Sequence, residues 1–354
     1  MKPNTAELQP DNQALLEELY AEMAPKGLLP LWEALANLVT KTPQTPVISA
    51  KWKYGDIRTH LMRAGELISA KQAERRVLVL ENPGLQGTHA ITSTLYAGLQ
   101  LILPGEVAPC HRHAQSALRF VMEGSGAFTA IDGEKAMMEK YDLVLTPNWQ
   151  WHDHGNTTDD PMIWLDGLDI PLVNHFDTSF AETLAGTDAH PESMPPGDTL
   201  SRYGKNLRPI RGSQSDRRPK HMPLFHYPYK EWHSSLTDLS NSEAPDPHFG
   251  YALEFINPST GGAIMPTISA HVRLLPRGFE TAERRSTDGS VYVVLEGSGS
   301  AMVGDVEHTL EEGDFFVVPS WHPVQIKADQ DLTLFGYSDR TSQEKLNLFR
   351  DLKS

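Results

Sequence analysis

Four histidines fall in two closely spaced pairs. His111 and His113 in "PCHRHAQSALRF", and His152 and His154 in "WQWHDHGN", are each separated by one residue. Side chains of an extended chain alternate between faces, so both members of a pair face the same way and can chelate one ion. If the two segments are neighbouring strands of one barrel, the four imidazoles converge on one interior spot. Neutral imidazole suits divalent zinc, copper, iron and nickel, and three such ligands leave positions for water or substrate. A lone buried histidine is more often a hydrogen-bonded core residue, whereas two pairs in one stretch favour a metal. The same parity reaches Arg119. In a strand unbroken from His113, Gln115, Ala117 and Arg119 share the inward face, which sets a permanent cation beside the metal. A buried guanidinium requires an anion. The candidates are a substrate carboxylate in a bidentate contact or a structural ion pair with Asp142 or Asp166.

Short strands must position these residues, and the chain supplies them twice. "VMEGSG" at 121–126 is answered by "VLEGSG" at 294–299, and "YDLVLTPNW" at 141–149 by "GDFFVVPSW" at 313–321. Runs of short strands broken by Gly, Asn, Asp and Pro turns point to a jelly-roll or sandwich in each copy. The fold expected is mainly β, two consecutive β-barrels with an N-terminal helical segment. The division runs 1–74 helical, 75–172 first barrel with the metal site, 173–245 linker with loops and a short helix, 246–340 second barrel, and 341–354 a C-terminal helix. Helical periodicity covers Gln13 to Met23, Leu31 to Leu38 and about Asp56 to Gln72. Aligning the repeats puts Arg284 and Ser286 where His111 and His113 stand, and Val324 where His152 stands, with only His322 nearby. The second copy therefore lacks a ligand set and is expected to be structural, packing on the first barrel or on another subunit.

Bulk properties narrow the partners. With 354 residues and a formal net charge of −15, the chain has no basic footprint for nucleic acid or an anionic membrane, so an anionic substrate needs a local positive site. The start "MKPNTAELQPDN" has no secretory pattern and no apolar run is long enough to span a bilayer. The single cysteine, Cys110, excludes an internal disulfide; a cytoplasmic protein is expected. At opposite parity to His111, Cys110 reads as a packed thiol. "GSGS" at 297–300 is a turn without the features of a nucleotide loop.

The histidine segments resemble a known family. "GEVAPCHRHAQSALRFVMEG" is similar to the first cupin motif and "TPNWQWHDHGN" to the second. By that pattern the third ligand is His152, Asn156 closes the motif, and His154 stands beside the ligands. With "IWLDGLDIPLV", these stretches resemble the gentisate 1,2-dioxygenases and their relatives that cleave salicylate or 1-hydroxy-2-naphthoate. The resemblance covers most of the chain. It implies a bicupin holding one Fe(II) per subunit on His111, His113 and His152, an aromatic hydroxy-acid and O2 as substrates, and a homotetramer. It further implies a pocket lined by Arg75, Tyr96, Gly98, Arg119 and Trp164. Arg119 would hold the carboxylate, His154 would hydrogen-bond oxygen or transfer a proton, and Asp166 would orient a partner. Ordinary structural roles compete: Tyr96 and Trp164 as core aromatics, Gly98 as a strand glycine, Arg75 and Asp166 as ion-pair members. Many metal cupins carry a glutamate ligand where this chain has Ala117, and without it the metal charge favours an anionic chelating substrate. A non-catalytic metal-binding cupin and a zinc or nickel isomerase or hydrolase are the rival readings.

Overall fold

The computed structural model describes residues 10–185, 191–205, 208–209 and 222–353; the basic stretch of the expected linker at 211–220 lies outside them. The chain divides into two compact units, Met1–Gln44 and Thr45–Ser354. The first holds helices α1 (Pro10–Met23) and α2 (Leu31–Leu38), where periodicity places them. Gly27, at φ 68°, supplies the left-handed residue that ends the intervening turn. The Trp32 indole N–H donates to the Tyr20 hydroxyl at 2.7 Å, which donates to Glu33 at 3.0 Å.

The second unit opens with β1 (Lys51–Trp52), α3 (Tyr54–Leu67) and α4 (Ala70–Ala73). The single helix expected from Asp56 to Gln72 is thus broken. The Ser69 hydroxyl accepts the Gln72 N–H while the Gln72 side chain accepts the Ser69 N–H, a reciprocal cap that starts a new helix.

The first barrel comprises β2 (Val77–Val79), β3 (Tyr96–Ile102), β4 (Val107–His113), β5 (Ala117–Glu123), β6 (Ala127–Ile131), β7 (Glu134–Met138), β8 (Leu143–Thr146), β9 (His152–Gly155) and β10 (Met162–Leu168). Then come α5 (Ile170–His175), β11 (Ala181–Thr183), α6 (Asp198–Tyr203), β12 (His226–Tyr227) and α7 (Tyr229–Ser242). The second barrel comprises β13 (Tyr251–Glu254), β14 (Ser269–Leu275), β15 (Arg284–Ser286), β16 (Ser290–Glu296), β17 (Gly299–Val303), β18 (Val306–Leu310), β19 (Phe315–Val318), β20 (Val324–Ala328) and β21 (Leu332–Ser338), followed by α8 (Arg340–Lys345) and β22 (Asp351–Lys353).

Each barrel pairs a six-stranded with a five-stranded sheet: β12-β8-β5-β10-β3-β2 with β11-β4-β9-β6-β7, and β1-β19-β16-β21-β14-β13 with β18-β17-β20-β15-β22. The six-stranded sheets share one apolar core, in which Phe120 and Phe335 stack at 4.1 Å. The second barrel thus packs on the first. The edges are exchanged: β1 precedes the first barrel yet pairs with β19 of the second, and β12 precedes the second yet pairs with β8 of the first. Two aspartates lock the halves alike. Asp169 accepts the Ser116 N–H and the Thr267 hydroxyl, and Asp339 accepts the Gly289 N–H and the Thr94 hydroxyl. In each case the threonine belongs to the other half, so the lock closes only when both barrels have formed.

Two expectations need correction. The tail 341–354 is helical only to Lys345; after Asn347, at φ 59°, it ends as β22 on the edge of β15. Among the described residues, the stretch 173–245 holds the end of α5, the edge strands β11 and β12, and the helices α6 and α7, more regular structure than the loops and short helix expected. The strands β11 and β22 are exposed on every side chain, so ladder pairing alone places them and no hydrophobic alternation marks them. No helix among the described residues is long and apolar enough to cross a membrane.

Candidate metal centre

β4 and β9 are neighbours, as the pairing of histidine segments requires. Their ladder is irregular: Ala108 lies opposite His154 and His111 opposite His152, so three residues advance on β4 against two on β9. Such a bulge re-aims the side chains beyond it, here the two histidines. The His111 and His152 rings lie 4.1 Å apart, His113 and His152 4.8 Å, and His111 and His113 5.3 Å. One nitrogen from each falls within 4.8 Å of the others, a group that could hold a metal ion.

Each ring is oriented in the same way. Nδ1 of His111 lies 3.2 Å from the Pro109 carbonyl, Nδ1 of His113 2.9 Å from the Gln115 carbonyl, and Nδ1 of His152 2.9 Å from the Gln150 carbonyl. A carbonyl only accepts, so these contacts assign the proton of His113 and His152 to Nδ1 and leave their Nε2 lone pairs for an ion, whereas Nδ1 of His111 also faces an Arg75 N–H, which only donates. Nε2 of His152 is buried with no partner, which fits a position meant for a cation. Burial and neighbouring arginines push His111 down to about 3, and burial with Arg119 pushes His113 down to about 4. Both rings are therefore neutral, the form that ligates.

Outside the barrel, Arg112 stands between the two histidines. Its guanidinium lies 4.6 Å from the Trp149 and Trp151 ring centres and pairs with Glu182 on β11. Trp149 donates its N–H to the His113 carbonyl at 2.7 Å. The strand carrying two candidate ligands is thereby fastened to β11 and to the loop leading into β9.

Arg119 reaches the site by a different route from the one parity suggested. The chain is not one strand from His113 to Arg119: it bends at Ala114 and Gln115, and β5 belongs to the opposite sheet. Alternation on β5 sends Phe120 to the shared core and Arg119 into the barrel, where it is 4% exposed. Asp166, opposite Arg119 in the ladder, lies 3.4 Å from its Nε, although that N–H makes no hydrogen bond. Nη1 donates to Thr146. Asp142 is engaged elsewhere, with His226 at 2.8 Å and the Tyr229 N–H at 2.7 Å. Asp166 also accepts the Trp164 indole N–H at 3.1 Å. Burial raises its carboxyl to about 6 against the opposing pull of Arg119.

His154 is buried beside this group, 5.7 Å from both the His152 and Trp164 ring centres. Its Nδ1 is 2.9 Å from the Thr129 hydroxyl, which lies 3.3 Å from the Met138 sulfur. Both contacts are satisfied together when the hydroxyl donates to sulfur and accepts Nδ1–H. That assignment leaves Nε2 of His154, buried and unpartnered, as a base facing the interior. Arg75 adds a second cation: one Nη lies 2.5 Å from Nδ1 of His111 and 2.9 Å from the Pro109 carbonyl. Gly98 lies opposite Asp166, and a Cβ there would sit 2.5 Å from Val77 and 2.6 Å from the Tyr96 hydroxyl. Cys110 is buried, its thiol pushed up to about 11 by burial, so it is no nucleophile.

Thr129, Thr146 and Arg112 are the residues that spacing missed, because their partners lie across sheets or on a separate strand. In the second barrel Arg284 faces Val324 in the ladder, as His111 faces His152, and no other described residues form a metal-holding group.

Comparison with known proteins agrees with this architecture. Residues 98–168 and 270–335 each match the cupin domain family. Gentisate 1,2 dioxygenase 1 of Aquipseudomonas alcaligenes is 48% identical over 338 residues, 96% of each chain. A gentisate 1,2-dioxygenase of Streptomyces sp. is 38% identical over 95% of each chain. The crystal structure of salicylate 1,2-dioxygenase from Pseudoaminobacter salicylatoxidans, in adducts with gentisate, superposes with a TM-score of 0.91 at 34% identity. That match covers 99% of this chain and 97% of the other.

Proposed function

We propose, because this chain belongs to the gentisate 1,2-dioxygenase family of ring-cleaving bicupin dioxygenases, that it opens the ring of gentisate, 2,5-dihydroxybenzoate. Both atoms of O2 enter the product, maleylpyruvate. One Fe(II) per subunit is held by His111, His113 and His152. The observation that carries this reading is the trio of neutral imidazoles, two of them, His113 and His152, tied by Nδ1 to a carbonyl, beside two cations and without an acidic ligand. Bound there, iron would supply the one-electron chemistry that O2 needs to react with an aromatic ring.

The chain's own residues do the rest. Arg119 binds the substrate carboxylate, and Asp166, steadied by Trp164, orients the guanidinium. His154 takes the hydroxyl proton at Nε2, because Thr129 holds its other nitrogen. Arg75 adds positive charge beside His111 within a chain of net charge −15, so an anionic ring is drawn toward the candidate ligands. Tyr96, Gly98 and Trp164 shape the space for the ring. The enzyme is placed in the cytoplasm, which suits a single buried thiol. It is assigned a homotetramer, supported by an N-terminal unit that leaves Leu29 84% and Val39 72% exposed.

Oxygen uptake tests the reading. Protein loaded with Fe(II) is expected to consume one O2 per gentisate, and the zinc-loaded protein none. Salicylate and 1-hydroxy-2-naphthoate are supplied in parallel; faster uptake with either would transfer the assignment to that substrate, and no uptake with any would make the protein a metal-binding cupin. Gly98→Ala must displace the Tyr96 ring, so KM for gentisate is expected to rise about tenfold, equivalent to ~1.4 kcal/mol, with Tm nearly unchanged. Equal KM values for the two proteins would place Gly98 outside the pocket.

A further inference from the structure

The second barrel keeps the strand registers of the first but carries arginines where the first has a histidine and a glutamine. In the ladders, Asp166 lies opposite Arg119 and Gly98, while Gly336 lies opposite Tyr292 and His271. The same registers put Arg273, opposite Leu334, at the place of Gln100, opposite Trp164. Arg284, opposite Val324, takes the place of His111. One guanidinium thus stands at the place of a candidate metal ligand and the other at the place of a buried glutamine.

Both are buried, Arg273 at 2% and Arg284 at 7% exposed, and among the described residues neither forms an ion pair. Arg273 donates to the Phe249 and His248 carbonyls at 2.8 and 3.0 Å. Arg284 donates to the Ser286 hydroxyl at 3.0 Å, and its Nε is buried without any partner. Of the acids on the same segments, Asp246 accepts the N–H groups of His248 and Phe249 and its charge favours that of Arg273, Glu283 pairs with Arg285, and Asp288 is buried with Oδ1 unpartnered. The ring of Phe249 has Arg284 at 4.7 Å, Arg273 at 5.6 Å and Lys353 at 5.0 Å from its centre. An aromatic face attracts cations but cannot neutralise them. Arg273 also hydrogen-bonds the Tyr292 side chain, so the unused buried donor is that of Arg284; a buried guanidinium with an unused donor calls for an oxyanion, which its planar fork fits.

We propose that the mouth of the second barrel binds a small oxyanion, a carboxylate or phosphate group, between Arg284 and Arg273, with Phe249 forming one wall. The first barrel would then hold a cation and the second an anion on the same scaffold. Bound anion stabilises the folded chain by mass action and leaves ring cleavage to the other barrel.

The test is thermal unfolding of the iron-loaded full chain in sodium phosphate and, separately, sodium acetate, each replacing sodium chloride at constant ionic strength. One or both are expected to raise Tm by a saturating amount on the order of 3 °C, the responding salt identifying the group. In Arg284→Met the rise should vanish, with kcat for oxygen uptake unchanged and Tm without anion no lower than in the parent, since an unpaired buried charge has been removed. Equal rises in parent and variant would mean exclusion of salt from the surface, and no rise in the parent would mean no site; either overturns the proposal. Should Arg284→Met fail to fold, Arg284→Gln carries the comparison, and failure of both would make Arg284 a structural residue. Because turnover is read separately, loss of the dioxygenase assignment would leave this result standing.

Discussion

His152→Ala is expected to remove bound metal and ring cleavage together, with turnover falling by about a thousandfold or more. His152 is the fully buried member of the trio, on a strand hydrogen-bonded to both β4 and β6. Its backbone cannot shift to let another donor take its place. His154 is two residues away and faces the same interior, yet its Nδ1 is held by Thr129 and it stands outside the group of three. His154→Ala is therefore expected to keep full metal and lose rate by about a hundredfold to ten-thousandfold, the range for a missing general base. Metal analysis of both variants, beside oxygen uptake, separates the roles. Metal retained by His152→Ala and lost by His154→Ala would exchange the two assignments, while metal retained by both would remove β9 from the centre.

Local geometry was legible in the sequence and long-range geometry was not. Side-chain alternation is a property of two or three consecutive residues, so His111 with His113, and His152 with His154, could be placed on common faces. The repeat of "VLEGSG" and "VPSW" identified two barrels because turn chemistry recurs at matching positions. Arg119 enters the same barrel although the strand from His113 is broken: the bend at Ala114 and Gln115 carries the chain to the opposite sheet, whose inward face looks on the same interior. Thr129 and Thr146 carry no signal, since their roles depend on which strand lies across the barrel. The exchanged edges β1 and β12 are two-residue strands, too short for any alternation. Their partners, like those of β11 and β22, are set by the closing of each sheet.

Arg119→Lys is expected to lower kcat/KM for gentisate by about a hundredfold, ~2.7 kcal/mol of transition-state binding. The guanidinium is suited to this position because it divides its donors. Nη1 goes to Thr146, Nε faces Asp166 at 3.4 Å, and the remaining edge of the fork is available to a carboxylate. An ammonium offers a single charged point and cannot satisfy these directions at once. Arg119→Met tests the charge itself. In the parent, burial raises the Asp166 carboxyl to about 6, and Arg119 is the largest influence holding it from going higher. Removing that cation favours the neutral acid, so the carboxyl moves further upward. If ionised Asp166 supports catalysis, kcat/KM in the parent rises with pH through about 6. In Arg119→Met the same rise should occur at more alkaline pH, whereas Arg119→Lys, which keeps a cation, should leave the profile closer to that of the parent. Profiles that coincide for all three proteins would uncouple Asp166 from Arg119, and an unchanged kcat/KM in Arg119→Lys would take the guanidinium out of substrate binding.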